Sequence, residues 1–91
     1  MSPERYRVDL APAAQRQLRK LPPGDAAALR GPILALALDP RPEGAAKLAG
    51  IELWRIRVGR LRVIYAIDVE LRVVVVLKVG RRAESTYRRV G

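Results

Sequence analysis

The side chains in this chain best suited to chemistry are arginines, gathered in Trp54-Arg55-Ile56-Arg57-Val58-Gly59-Arg60-Leu61-Arg62-Val63-Ile64-Tyr65. Apolar and basic residues alternate up to the glycine and then alternate again, the period-two pattern of two half-buried strands joined by a tight turn. With Gly59-Arg60 as a two-residue loop of type II′, Val58 faces Leu61, Arg57 faces Arg62 and Ile56 faces Val63. Opposed residues share a face, so Arg57 and Arg62 stand side by side. Like charges in that position are unfavourable unless an anion lies between them. The chemistry on offer is therefore anion binding and stabilisation of developing negative charge, for which a planar guanidinium is well shaped. Proton abstraction is not on offer, because arginine stays protonated. The same spacing also suits a solvated basic face whose arginines splay apart, and these residues alone leave both readings open.

Composition narrows the rest. Ninety-one residues predict a single domain over 1–91, with one core built from Leu, Val, Ile and Ala, since Phe is absent and Trp54 is the only tryptophan. There is no Cys and no His, so a disulfide framework, a thiolate nucleophile and the usual neutral-pH base are all missing. Carboxylates do not cluster; Asp39 and Glu43 sit in a proline-rich connector and read as turn formers, which argues against a metal-dependent nuclease. The expectation is no cofactor and no metal. No run has the length of a membrane span and the N-terminus lacks a signal-type apolar segment, so no membrane partner and a cytoplasmic location are expected.

The formal charge is +9, from 18 basic and 9 acidic residues. Residues 1–45 hold seven basic and five acidic side chains, and residues 46–91 hold eleven and four, so the halves carry +2 and +7. The positive field belongs to the half with the hairpin, as expected for a polyphosphate or acidic-protein partner.

The elements that must position the arginines follow in order. Residues 5–10 alternate with Tyr6, Val8 and Leu10 on one face and read as a strand. Ala14, Leu18 and Leu21 mark a helix that Pro22 stops. Asp25 is expected to cap a second helix with the stripe Leu29, Ile33 and Leu36, kinked or broken by Pro32. Asp39-Pro40-Arg41-Pro42-Glu43-Gly44 is a connector, and residues 45–50 a short turn into the hairpin. Residues 68–71 turn again into residues 72–79, a strand apolar on both faces that belongs in the sheet interior. The length of this turn is uncertain by one residue, which leaves the face of Lys78 open. The tail after Gly80 holds Arg81, Arg82, Tyr87, Arg88 and Arg89 and leaves the strand beside the hairpin, close enough to fold back over Arg55, Arg57 and Arg62; a frayed basic terminus is the alternative.

The order strand, helix, helix, three strands resembles the RelE/ParE superfamily of type II toxins. The resemblance rests on Asp39-Pro40-Arg41-Pro42, Lys47-Leu48-Ala49-Gly50, Trp54 to Gly59 with Arg62-Val63-Ile64-Tyr65, and Val79-Gly80-Arg81-Arg82 with Tyr87. It implies an α+β, microbial-ribonuclease-like fold, with a mostly antiparallel sheet (β-α-α-β-β-β) against a two-helix hairpin and a short C-terminal helix or tail. It also implies an acidic antitoxin partner from the same operon. RelE-like members cleave mRNA in the ribosomal A site without a metal, whereas ParE-like members inhibit DNA gyrase. By the RelE pattern, Arg55, Arg57, Arg62, Arg82 and Tyr87 are the expected catalytic residues, with Lys47, Arg60, Arg81 and Arg88 as expected substrate-binding positions. Arg55 and Arg57 stand where that pattern allows lysine, and Tyr87 aligns only with a small gap. A basic nucleic-acid-binding module is a further reading of the charge.

Overall fold

The computed structural model describes residues 5–81. Strand β1 (Arg7–Leu10) leads through Ala11 into helix α1 (Pro12–Lys20). Pro12 opens α1 at a position where a missing N–H costs nothing, and Arg19 and Lys20 sit in its last turn, where cations suit the helix dipole. Leu21 is extended, with ψ of 152°, as a residue before proline prefers.

Helix α2 (Pro23–Ala35) differs from expectation at its start. It is capped by Pro22 with Pro23 in its first turn, and Asp25 lies inside that turn without capping it. The proline pair already presets helical φ two residues earlier, so a side-chain cap at Asp25 is not needed. Pro32 sits inside the helix without breaking it. The carbonyl that loses its donor belongs to Ala28, which is exposed and open to water, so the missing bond is tolerated.

Residues 46–47 add a strand to the expected order. Strand β2 (Ala46–Lys47) pairs antiparallel with β3 (Trp54–Val58), which pairs with β4 (Leu61–Asp68), which pairs with β5 (Val73–Arg81). Among the described residues the sheet order is β1-β5-β4-β3-β2, with β1 parallel to β5 and the other pairs antiparallel. Helix α1 rests on β5, and α2 lies over β3 and β4. The helices are laid on the sheet side by side, leaving an apolar groove between them lined by Leu10, Leu18, Ala26, Ala27, Ile33 and Leu34.

The core lies between helices and sheet. Ala14, Leu29 and Leu36 meet Ile56, Leu61, Val63, Tyr65, Val74, Val76 and Val79, all buried. Beyond the end of β1, strand β5 has no strand neighbour on that side among the described residues. There the Val79 N–H donates to Gln17 Oε1 from α1, at 2.8 Å. Replacing that acceptor should leave a half-buried donor unsatisfied, at about 1–3 kcal/mol. Gln17→Leu is expected to lower stability by that amount in urea unfolding and Gln17→Glu to lose much less. Equal stability of the Leu variant and the wild type would show that water serves Val79 equally well.

Candidate active site

The hairpin has the register that its alternation predicts, with Arg57 opposite Arg62, Val58 opposite Leu61 and Ile56 opposite Val63. Gly59 has φ of +60° while Arg60 is not among the positive-φ residues, as a type II′ turn requires. Val58, Ile56 and Trp54 point to the helices with Leu61, Val63 and Tyr65. Arg55, Arg57 and Arg62 therefore stand together on the face away from the helices.

Strand β5 completes that face through an irregularity. The β4–β5 register passes from Ile64 opposite Lys78 to Tyr65 opposite Val76, so Leu77 is an extra residue, a β-bulge. Val74 and Val76 face the core before the bulge, and Val79 faces it after. Without the extra residue Lys78 would point at the helices. With it, Lys78 and Gly80 join the outer face in two rows, Arg57–Arg62–Gly80 and Arg55–Ile64–Lys78. Neighbouring strands lie about 4.8 Å apart, so the long basic side chains of both rows can converge on one or two anions. Arg57 and Arg62 each have an interaction partner in the folded chain.

Carboxylates on the outer face lie further along the strands. Asp9 is level with Val75, and Asp68 with Val73, while the Arg7 guanidinium pairs with Asp9 at 3.1 Å. The two basic rows contain no carboxylate, hence no acid or base of that kind. Among the described residues no three Asp, Glu, His or Cys side chains come together as metal ligands would.

The remaining expected residues are dispersed. Arg60 is in the hairpin turn. Arg81, opposite Leu61, faces the helix side and meets Asp25 of α2 at 3.6 Å; together with Arg60 they line a separate recess. This exposed pair contributes little to stability. Lys47 is on the edge strand, on the Trp54 side, and pairs with Glu52 at 3.2 Å. Arg82, Tyr87 and Arg88 lie outside the described residues, as does the expected C-terminal helix or tail.

A fold of this order carrying this basic face is matched by the model of a known family, described as the ParE toxin of the type II toxin-antitoxin system parDE, over residues 8–86. The chain belongs to the RelE/ParE superfamily of toxins. Solved structures agree with this RelE/ParE assignment. The toxin–antitoxin complex RelBE2 from Mycobacterium tuberculosis is 32% identical, covers 86% of this chain and 99% of its own, and superposes with a TM-score of 0.78. The RelE–RelB complex from the archaeon Pyrococcus horikoshii is 28% identical over 92% of this chain and 99% of its own, with a TM-score of 0.77. The isolated RelE toxin of E. coli is 28% identical over 93% and 95%, with a TM-score of 0.75. No protein of curated function matches the sequence.

In this RelE/ParE toxin the connector between helices and hairpin is held by Tyr65. Its hydroxyl donates to the Pro40 carbonyl at 2.7 Å, and the ring is fully buried. Asp39 Oδ1 accepts the Arg41 N–H, and the Arg41 guanidinium lies 5.7 Å from the Trp54 ring centre, a cation–π contact. Trp54 thus supports the connector and the core from the side opposite the basic rows. Burial, with a smaller contribution from the Asp39 charge and an opposing one from Arg41, pushes the Tyr65 phenol up to about 12. A folded pKa above the unfolded value means that this stabilisation is complete below about pH 10 and lost as pH rises toward 12, at about 1.4 kcal/mol per pH unit. Tyr65→Phe should be less stable than the wild type by about 1 kcal/mol at neutral pH, with the gap closing near about pH 10.7 and reversing above it. Urea unfolding across that range checks it; a constant gap would mean that the phenol does not titrate with folding.

Proposed function

We propose that this toxin is a metal-independent endoribonuclease that cleaves mRNA on the ribosome and so inhibits translation. The observation that carries this reading is the opposed pair Arg57 and Arg62 on the outer face, with Arg55 in the adjoining row. In the reaction, the ribose 2′-oxygen attacks the adjacent phosphorus as its proton leaves. The bond to the 5′-oxygen breaks, that oxygen gains a proton, and the products are a cyclic 2′,3′-phosphate and a 5′-hydroxyl. Negative charge grows on the non-bridging oxygens in between, and paired guanidiniums stabilise it bidentately. Arg62 and Arg82 take that role in this reading. Tyr87 stacks on a base or donates to the phosphate in this reading. With neither histidine nor a carboxylate in the two basic rows, rate depends on electrostatics and on positioning by the ribosome. Slow cleavage of free RNA follows from this, and rapid cleavage by the isolated protein would contradict it.

The partner in this reading is an acidic antitoxin. Its charge complements the +9 chain, and the groove between α1 and α2, with Leu34 60% exposed at its edge, offers apolar surface to an amphipathic segment. Such a complex weakens with salt yet persists through its apolar contacts.

The matching family description names ParE, and this favours a second reading in which the chain inhibits DNA gyrase without cutting RNA. That activity does not call for clustered Arg57, Arg62 and Arg82. The deciding experiment expresses the toxin, maps mRNA ends against ribosomal A sites, and assays gyrase supercoiling in parallel. New ends at A sites with normal supercoiling support the ribonuclease; lost supercoiling with intact mRNA supports the gyrase inhibitor.

A further inference from the structure

We propose that Lys78 is a further phosphate-binding residue of this face, gripping the phosphodiester next to the one held between Arg57 and Arg62. The proposal rests on the ribonuclease reading and extends it to the neighbouring nucleotide. Three observations support it. First, the bulge at Leu77 is what turns Lys78 outward. The strand would otherwise present Lys78 to the apolar core and Val79 to solvent, and bulges characteristically re-aim a side chain beside a site. Second, Lys78 lines a recess with Arg62, Ile64 and Gly80. Gly80, opposite Arg62, carries no side chain, and a Cβ built there would meet nothing within 4 Å, so the approach between Arg62 and Lys78 is open. Third, Lys78 is exposed, and among the described residues its ammonium has no ion-pair or hydrogen-bond partner, unlike Arg81 with Asp25 and Lys47 with Glu52.

The chemistry differs between the two rows. Arg57 and Arg62 offer flat forks that suit the spreading charge of a reacting phosphate. Lys78 offers a compact, mobile point charge, which suits a phosphate that is held and not transformed. Half-buried Ile64 lies between Arg55 and Lys78, an apolar floor between two cations. Lys78 therefore contributes to substrate binding and not to the chemical step.

The test measures single-turnover cleavage on ribosomes programmed with mRNA, as a function of toxin and salt concentration, for the full chain. Lys78→Ala is expected to raise the half-saturating toxin concentration about fivefold and to lower the slope of log affinity against log salt by about one, with the rate at saturation unchanged. Lys78→Arg should restore binding, and Lys20→Ala, on the helix layer, should match the wild type. Binding of Lys78→Ala to ribosomes without mRNA should equal that of the wild type; an equal loss there would assign the contact to ribosomal RNA and overturn the proposal. Arg62→Ala separates the two levels. If Arg62→Ala loses the saturated rate while Lys78→Ala is indistinguishable from wild type, the Lys78 assignment fails and the ribonuclease reading stands. If the wild type itself leaves ribosome-bound mRNA intact, the ribonuclease reading fails and takes the assignment with it.

Discussion

Arg62→Ala is expected to cleave ribosome-bound mRNA about 10²–10³-fold more slowly than the wild type while remaining folded. The size follows from removing one preorganised donor aimed at charge that exists only in the transition state. Arg62 is on the interior strand β4 between Arg57 and Gly80, and Gly80 has no side chain to restore a second guanidinium beside Arg57. Arg62→Lys should recover only part of the rate, because an ammonium cannot reproduce the planar fork. Stability should change by less than about 1 kcal/mol, since the substitution also removes a like charge opposite Arg57. Single-turnover rates with a parallel unfolding curve check both halves. A toxin that keeps its cleavage rate without Arg62 would remove the central residue of the proposed mechanism.

Tyr65→Ala should have the largest effect on the fold, about 3–5 kcal/mol. Tyr65 is fully buried, opposes Trp54 and Val76 on its two flanking strands, and fixes the connector through Pro40. Truncation removes ring contacts, opens a cavity and releases the Pro40 carbonyl at once. A loss of that size is a large part of the stability of a small domain, so a fall in melting temperature of well over 10 °C is expected, by about 4–8 °C per kcal/mol. A change near that of Tyr65→Phe would mean that the core collapses around the missing ring.

Much of this architecture is legible because particular residues mark it. Gly59 in a strictly alternating segment fixes the hairpin and its register, and Pro22 and Pro23 punctuate the helices. Strand β2 is not legible, because two residues carry no periodicity. The bulge is not legible either. Val73 to Leu77 is uniformly apolar, so the sequence has no alternation whose interruption would mark where the faces switch, and Lys78 follows without a phase. This is why Arg55, Arg57 and Arg62 can be grouped from the sequence while Lys78 cannot, and why Arg81 is found on the helix side although its neighbours in sequence suggest otherwise. Arg82 and Tyr87 depend on a tail for which the sequence offers only a resemblance.

The parallel pairing of β1 with β5 also governs when the molecule can come into being. Arg7 aligns with Val73 and Leu10 with Val76, so the first strand synthesised finds its neighbour only in the last one described. Local contacts can form α1, α2 and the hairpin early, but closing the sheet requires a loop of nearly the whole chain, and such non-local topology slows folding. On a translating ribosome β1 must wait, with its backbone groups unpaired, until β5 has emerged. The same strand carries Lys78 and Gly80, so the basic face is completed in the step that completes the fold. If the proposed ribonuclease reading holds, a nascent chain is accordingly unable to cleave until synthesis has passed β5.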